Sequence, residues 1–170
     1  MMRRQLPRIV AALFGLAGML AAVPAAADCS DPAAPGVNWQ RCAQGGRSFT
    51  GVDLSEANLR NANFARSDLS GSKLAGVDGR RAKFVSGDLK SVIFDDANLS
   101  AADFTRAELS NASFRNATLR QAIFFRAILR GADFTGATLA ETDFLGADLT
   151  GATWIDGTRV CGPDSISRCN

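Results

Sequence analysis

The sequence predicts an all-β fold, a β-solenoid with four sides per coil, from two observations: a period of five residues and the order of the large side chains. A large apolar residue recurs at every fifth position over twenty-two positions, with Gly79 as the exception. The residue two places earlier is usually small, most often alanine, and the other places are mostly Asp, Asn, Ser, Thr, Gly and Arg. The large residues are Phe49, Leu54, Leu59, Phe64, Leu69, Leu74, Phe84, Leu89, Phe94, Leu99, Phe104, Leu109, Phe114, Leu119, Phe124, Leu129, Phe134, Leu139, Phe144, Leu149 and Trp154.

A period of five excludes both regular structures. In an α-helix five residues turn through about 500°, so the large residues would not form a stripe. In a straight strand a five-residue step would place successive large residues on opposite faces. The pattern therefore requires a short extended side, with the small and the large residue both inward, followed by a corner that suits Gly, Asn, Asp and Ser.

The number of sides follows from the alternation of Phe and Leu, which is unbroken from Phe84 to Leu149. Four sides stack Phe on Phe and Leu on Leu, whereas three sides would mix them. The twenty-two positions then make about five and a half coils, and a coil spacing of about 4.8 Å gives a rod of roughly 25 Å. One predicted column contains Phe64, Phe84, Phe104, Phe124 and Phe144, and the opposite one Leu54, Leu74, Phe94, Phe114, Phe134 and Trp154.

The repeats A-N-L-R-N, A-N-F-A-R, A-D-F-T-G and A-D-L-T-G resemble the A(D/N)LXX repeat of the pentapeptide-repeat family, over about 47–156. The resemblance implies a right-handed quadrilateral β-helix, and the hand comes from the resemblance alone. The segment from Trp39 to Cys42 and the tail after Trp154 resemble segments that flank exported bacterial members. Phe84 restores the register after Gly79, so we expect the coil to continue there, by a bulge or by a loop.

The first residues, 1–27, are predicted to be a signal peptide. Arg3, Arg4 and Arg8 precede an apolar run, and Ala25-Ala26-Ala27 supplies a cleavage site. The run is shorter than the roughly 20 residues of a membrane span. We therefore expect a periplasmic or secreted protein without a membrane span after signal removal, exported by either the general or the twin-arginine route.

The four cysteines lie outside the regular repeats and predict disulfide-closed ends. Three pairings are possible, and an oxidising compartment favours Cys29–Cys42 and Cys161–Cys169, because the solenoid separates its two ends too far for a disulfide. Zinc is disfavoured since the chain has no histidine and no paired C-x-x-C spacing. The predicted segments after the signal are an N-terminal cap (28–46), the solenoid (47–156) and a C-terminal disulfide tail (157–170).

Composition disfavours both catalysis and nucleic-acid binding. Loss of the three signal-segment arginines leaves sixteen basic residues against seventeen acidic ones, a net charge of −1, too little for bulk phosphate affinity. The chain has no histidine or tyrosine, and the adjacent pair Asp95 and Asp96 is expected on a solvated corner. The Asp and Asn residues before the large residue are expected to bond turn amides rather than calcium. We therefore expect no catalytic residue, cofactor, metal or small-molecule substrate.

Two outward stripes are candidate binding surfaces, since residues twenty apart should lie one above another. The first could bind an anion or be solvated charge, and the second could be a partner surface or tolerated exposure. The candidate anion stripe is Arg60, Arg80, Arg81 and Arg120. The candidate partner surface is Val85, Ile123, Phe125, Ile128 and Leu145.

The sequence thus predicts a non-catalytic exported scaffold or protein-binding module, acting through a protein partner or through self-association. The alternative comes from the family resemblance: some cytoplasmic members resemble duplex DNA in shape and charge and protect DNA gyrase. Carbohydrate cleavage would need grouped carboxylates, and Asp133, Glu141, Asp143 and Asp148 are predicted on different sides. The partner and the oligomeric state are left open.

Overall fold

A computed structural model describes residues 27–170, so the predicted signal segment lies outside the described residues except for its last position. The repeats form a right-handed quadrilateral β-helix, which confirms the predicted fold. Within 27–170 the extended elements are single bridge residues, one per repeat, and no helix occurs. No helix of this part of the chain is long and apolar enough to cross a membrane.

Parallel bridges join each repeat to the one twenty residues later, as between Asn58 and Asp78 and between Asp78 and Asn98. One coil is therefore four repeats, and each side is named here by its central inward residues. In chain order these are side 1 (Trp39, Leu59, Gly79, Leu99, Leu119, Leu139), side 2 (Gln44, Phe64, Phe84, Phe104, Phe124, Phe144), side 3 (Phe49, Leu69, Leu89, Leu109, Leu129, Leu149) and side 4 (Leu54, Leu74, Phe94, Phe114, Phe134, Trp154).

A tight turn forms each corner. The N–H three residues after a central residue donates back to its C=O, as from Ala57 to Leu54 at 3.1 Å. The second residue after the centre has a positive φ, 56° at Asn61 and 66° at Gly71. A type II turn requires this of its third residue, and Gly and Asn adopt it most readily. The repeat sequence therefore places its turn formers where the backbone needs them.

Neighbouring coils are joined by a continuous backbone ladder. The N–H of each central residue donates to the coil above, as from Leu54 to the C=O of Lys73 at 2.7 Å. The preceding residue of the upper coil donates downward, as from Asn58 to the C=O of Val37 at 2.9 Å. Because buried backbone groups must be paired, this ladder fixes the register of every coil on its neighbours.

The core consists of the predicted columns. On side 2 the rings of Phe104 and Phe124 are stacked at 4.8 Å and 4°. Side 4 lies opposite, and its Phe114 meets Phe124 edge to face at 5.7 Å and 86°. Offset stacks and edge-to-face pairs are both favourable aromatic geometries, worth about 0.5–1.5 kcal/mol each beyond area burial. The Phe/Leu order of the sequence therefore becomes two aromatic columns that interlock across the core.

The coil at Gly79 continues without a bulge or a loop. Gly79 keeps its ladder bond, donating to the C=O of Asn98 at 2.8 Å, and Asp78 keeps its bridge to Asn98. The space of the missing side chain is occupied, because a Cβ on Gly79 would lie 2.8 Å from Cδ2 of Leu99. Val77 is larger than the alanine usual at its position, and its Cγ2 would lie 3.9 Å from the same Cβ.

The N-terminal end of the solenoid begins earlier than the predicted boundary at residue 47. Bridges start at Asn38, so Trp39 and Gln44 are further central residues. A buried glutamine breaks the apolar pattern, which is why the pattern alone starts at Phe49. Its amide is satisfied because Nε2 of Gln44 donates to the C=O of Cys29 at 3.1 Å, and Cys29 is joined to Cys42 by a disulfide, the favoured pairing.

The C-terminal tail folds back over the last coil as an antiparallel cover. Asp148 bridges Ile166, and the second disulfide joins Cys161 to Cys169, again the favoured pairing. The ladder donors of sides 3 and 4 are paired with the tail, as from Leu149 to the C=O of Ser165 at 2.9 Å. Cover of side 2 begins only at the corner after Phe144, where the N–H of Gly146 donates to Oγ of Ser167 at 2.8 Å. Within residues 27–170 the stretch from Leu139 to Phe144 has no such cover, and these two central residues are only half-buried.

Truncation of a ring in the middle of a column should destabilise the whole rod. Phe104→Ala removes a fully buried ring between two stacked neighbours, and we expect a loss of about 3–5 kcal/mol of unfolding free energy. Phe125→Ala is the matched control, because Phe125 is the next ring along the chain from Phe124 and lies outside the core. Equal losses for both variants in urea denaturation would contradict the assignment of the core.

A double-mutant cycle tests the packing at Gly79. Gly79→Ala alone should destabilise by about 1–3 kcal/mol, because the new methyl group meets Leu99. In a Leu99→Ala background the same methyl group enters the vacated space and should stabilise. Denaturation of the four proteins gives the coupling energy, and additive effects would show that Leu99 does not fill the space over Gly79.

Candidate binding surfaces

The acidic residues that precede the central residues close turns. Oδ1 of Asp53 accepts from the N–H of Ser55 at 2.9 Å, and Asp103 and Asp143 accept in the same way from Thr105 and Leu145. This confirms the local hydrogen bonding that the sequence predicts. Within residues 27–170 no group of three or more His, Cys, Asp or Glu side chains could hold a metal ion.

The adjacent carboxylates Asp95 and Asp96 lie on the corner between sides 4 and 1, as predicted. Asp95 accepts from the hydroxyl of Ser113 and from the N–H of Arg115 at 3.2 Å, both one coil above. Asp96 is exposed. Asp95 therefore tethers two coils at a solvated corner, and the pair does not lie in an enclosed site of the kind in which catalytic acids and bases are found.

Three carboxylates that face arginines are held ionised by hydrogen bonds. Hydrogen bonds from Arg80 lower the pKa of Asp78 below its ordinary 3.8. Burial raises the pKa of Asp133 and of Asp148, but hydrogen bonds outweigh it, chiefly from Thr135 to Asp133 and from Arg130 to Asp148, and both pKa values are lowered. These ion pairs brace neighbouring positions of the rod.

The candidate anion stripe lies along the corner between sides 1 and 2, where the structure brings three of its four arginines into one groove. Arg60, Arg80 and Arg81 line a groove of about 250 Å³ together with Asn61, Ser100, Ala101 and Gln121. Arg120 lies one coil above Ser100, as shown by the hydrogen bond from the N–H of Ala101 to the C=O of Arg120 at 2.8 Å. Ser100 and Ala101 are short, so their coil forms the floor of the groove.

The candidate partner surface lies on the corner between sides 2 and 3, and the structure brings four of its five residues together. Phe125 is at the corner with Arg126 over its ring at 5.0 Å. Ile123 and Ile128 flank it on the two sides, 37% and 39% exposed, and Leu145 above it is 60% exposed. Val85 lies two coils below Phe125, separated from it by Thr105.

Sequence reasoning missed two features next to this patch. Ile166 of the tail is 48% exposed and bridges Asp148, which stands directly above Ile128, so a further exposed apolar residue lies near the patch, beyond Asp148. The second feature is an unpaired backbone edge. The N–H groups of Leu139, Glu141 and Phe144 have no hydrogen-bond partner within the described chain. Neither feature has a signal in the repeat pattern, because both depend on where the tail turns.

Comparison with known protein families agrees with the repeat pattern. A model of the pentapeptide repeat region matches residues 37–124, and a model of eight pentapeptide repeats matches residues 124–153. The chain therefore belongs to the pentapeptide-repeat family. Members of this family are generally non-enzymatic. Among curated proteins, none matches the sequence significantly.

Several solved structures of pentapeptide repeat proteins are similar to this chain. HetL, a pentapeptide repeat protein involved in heterocyst differentiation regulation from Nostoc sp. strain PCC 7120, is 26% identical with a TM-score of 0.50, over 72% of this chain and 68% of HetL. A pentapeptide repeat protein of the Arabidopsis thaliana thylakoid lumen is 30% identical with a TM-score of 0.45, over 68% of this chain and 74% of its own. A pentapeptide repeat protein from the cyanobacterium Cyanothece 51142 is 27% identical with a TM-score of 0.39, over 69% of this chain and 90% of its own.

The lowered carboxylate pKa values predict a loss of stability in acid. Because the folded state holds Asp148 at a pKa below 3.8, its contribution is complete above that ordinary value and is lost as pH falls through the lowered value. Asp148→Asn should therefore be less stable than wild type near pH 6, and the difference should shrink as pH falls below 3.8. Urea denaturation across this range measures it. Arg130→Gln should reduce the same pH-dependent difference, and a gap that persisted unchanged in acid would refute the ion-pair account.

Proposed function

We propose that this chain is an exported, non-catalytic binding module whose C-terminal coil accepts an extended segment of a partner protein. The observation that carries the proposal is the unpaired backbone edge on sides 1 and 2, which adjoins the exposed apolar patch around Phe125. Membership of a family that is generally non-enzymatic supports the non-catalytic part of the proposal.

The edge has the hydrogen-bonding pattern of a strand that lacks its neighbour. One coil below, Leu119 donates to Thr138 at 2.9 Å, Gln121 to Ala140 at 2.9 Å and Phe124 to Asp143 at 2.7 Å. The corresponding N–H groups of Leu139, Glu141 and Phe144 therefore point along the rod axis with no acceptor in the described chain. An added parallel segment would satisfy all three, which is the principle of binding by strand addition.

Apolar contacts beside the edge would supply specificity. Leu139 and Phe144 lie half-buried under it. Leu145, next to Phe144 and above Phe125, is 60% exposed. Exposed apolar groups that form one patch in a water-exposed protein are typical of an interface. A bound segment that turns the same corner and carries apolar residues would cover these side chains while pairing with the backbone on both sides.

The tail determines the size of the partner segment. It occupies sides 3 and 4 of the last coil, where Gly151 donates to Cys161 at 2.8 Å and Trp154 to Arg159 at 2.7 Å. A complete coil of a second copy cannot stack on this end without displacing the disulfide-closed tail. The free edge extends only from Leu139 to Phe144, which suits a short extended segment of another protein.

Export is supported by the two disulfides and by the signal-like segment. Disulfides persist in oxidising compartments and are rare in the cytosol, and both cysteine pairs of the described chain are joined. The signal-like residues 1–27 supply a route to such a compartment. A mimic of duplex DNA needs a continuous acidic surface, whereas unpaired arginines lie on two of the four corners, so no observation favours that alternative.

The experiment compares wild type with Phe125→Asp in pull-down from a periplasmic extract, followed by reconstitution with the purified captured protein. We expect the mutation to weaken binding at least tenfold, because it places a charge in the apolar patch. Hydrogen exchange should show fast exchange at the amides of Leu139, Glu141 and Phe144 in the free protein and new protection of the same amides in the complex.

Ala75→Asp is the matched control, since it adds the same charge at the equivalent corner position between sides 4 and 1. It should bind as wild type does. Equal binding by Phe125→Asp and wild type, or a complex in which the three edge amides stay unprotected, would refute the proposed site. Sedimentation of the free protein distinguishes a second possibility, because self-association lost in Phe125→Asp would assign the patch to a copy of this chain.

A further inference from the structure

The corner between sides 1 and 2 carries positive charge that local acids do not balance. We propose that its groove is a binding site for phosphate groups, and that Arg60, Arg80 and Arg81 hold their oxygens. Arg80 and Arg81 lie three coils below the strand edge of the proposed function, and Arg60 four, so the binding of one or two phosphate groups does not depend on that edge. Only the upper end of the groove meets it, where Nε2 of Gln121 donates to Glu141 at 2.7 Å.

The groove contains three guanidinium groups but only one neighbouring carboxylate. That carboxylate, of Asp78, lies next to Arg60 and Arg80 and not next to Arg81. Arg80 binds both oxygens of Asp78, through Nε at 2.8 Å and Nη2 at 2.6 Å. Nε of Arg60 lies 3.9 Å from the same carboxylate, and this atom is buried and lacks a hydrogen-bond partner within residues 27–170. Arg81 is exposed and has no acidic partner in the same part of the chain. Asp78 therefore leaves donors of the three guanidinium groups unmatched, and an oxyanion bound in the groove would accept from the exposed ones.

Other arginines of the rod differ in this respect. Arg115 has its own carboxylate in Asp133 at 2.8 Å, and Arg130 has Asp148 at 2.6 Å. Their corners therefore carry paired charge. Arg60, Arg80 and Arg81 differ from these two because they line one groove and share a single carboxylate, that of Asp78.

The shape and lining of the groove select the ligand chemistry. The planar fork of arginine matches the oxygens of phosphate. No aromatic side chain lines the groove, so a base or a sugar ring has nothing to stack on. Its volume of about 250 Å³ lies below the roughly 300–1,000 Å³ of sites for drug-sized ligands. One or two phosphate groups fit this description better than a nucleotide.

The groove is also open toward the next coils, which permits a longer phosphate chain. Arg120 stands in the column of Arg60 and Arg80, with the short Ser100 between. At about 4.8 Å per coil it is about 10 Å beyond Arg80. A chain that starts at Arg60 and Arg81 would therefore reach Arg120, whereas a ligand with two phosphates would not.

Isothermal titration with inorganic pyrophosphate and with a linear polyphosphate tests the site at constant ionic strength. We expect both to bind wild type, and Arg60→Gln/Arg81→Gln to weaken both at least tenfold. Arg66→Gln/Arg106→Gln is the matched control, because it removes the same charge from exposed arginines of the corner between sides 2 and 3. Arg120→Gln should weaken polyphosphate and leave pyrophosphate unchanged.

Absence of pyrophosphate binding by wild type, or equal weakening in the two double variants, would overturn the proposal, the latter because bulk charge would then explain the binding. Unchanged thermal unfolding of the double variants excludes misfolding as the cause of a loss. Co-sedimentation with phosphatidylglycerol vesicles, measured on the same proteins, distinguishes the source: a loss confined to Arg60→Gln/Arg81→Gln assigns the phosphate to a lipid headgroup, and no co-sedimentation of wild type assigns it to a soluble ligand.

Discussion

The backbone ladder between coils is the constraint on which the rest of the structure depends. Each coil donates upward from its central residues and downward from the residues before them, so a coil has paired backbone groups only when it has neighbours. No coil can be stable alone, and stability comes from the continuous stack. The aromatic columns add cohesion along the same axis, because a ring on one coil stacks on the ring twenty residues later.

The twenty-residue register between coils also forms the two candidate binding surfaces. Side chains twenty residues apart stand one above another, so an arginine in successive coils becomes a column and a run of apolar corner residues becomes a patch. The ends of the rod are exceptional, because a terminal coil has a neighbour on one side only. At the C-terminal end the tail pairs with two sides and leaves the edge from Leu139 to Phe144 unpaired. The proposed binding edge is therefore a consequence of how the stack stops.

The repeat could be predicted from the sequence because every repeat has the same local structure: a small and a large inward residue, followed by a tight turn. The order of Phe and Leu predicted the number of sides and the opposed columns, and the turn chemistry of Asp and Asn predicted the turn-closing role of residues such as Asp53. The candidate stripes were also predictable in outline, since Arg60 and Arg80, or Phe125 and Leu145, differ by one coil. The start of the solenoid was predicted too late because Gln44 is buried and polar, which is tolerated only because the cap supplies an acceptor at Cys29.

By itself the sequence determined the fold, the register and the position of the corners, because these follow from five-residue periodicity and from the side chains that turns require. Only the tertiary structure decided how neighbouring coils compensate one another: Leu99 fills the space over Gly79, one carboxylate at Asp78 serves two arginines, and the tail covers two sides of the last coil. These outcomes depend on distances between residues about twenty positions apart and on the path of a non-repetitive tail. A repeat pattern contains neither.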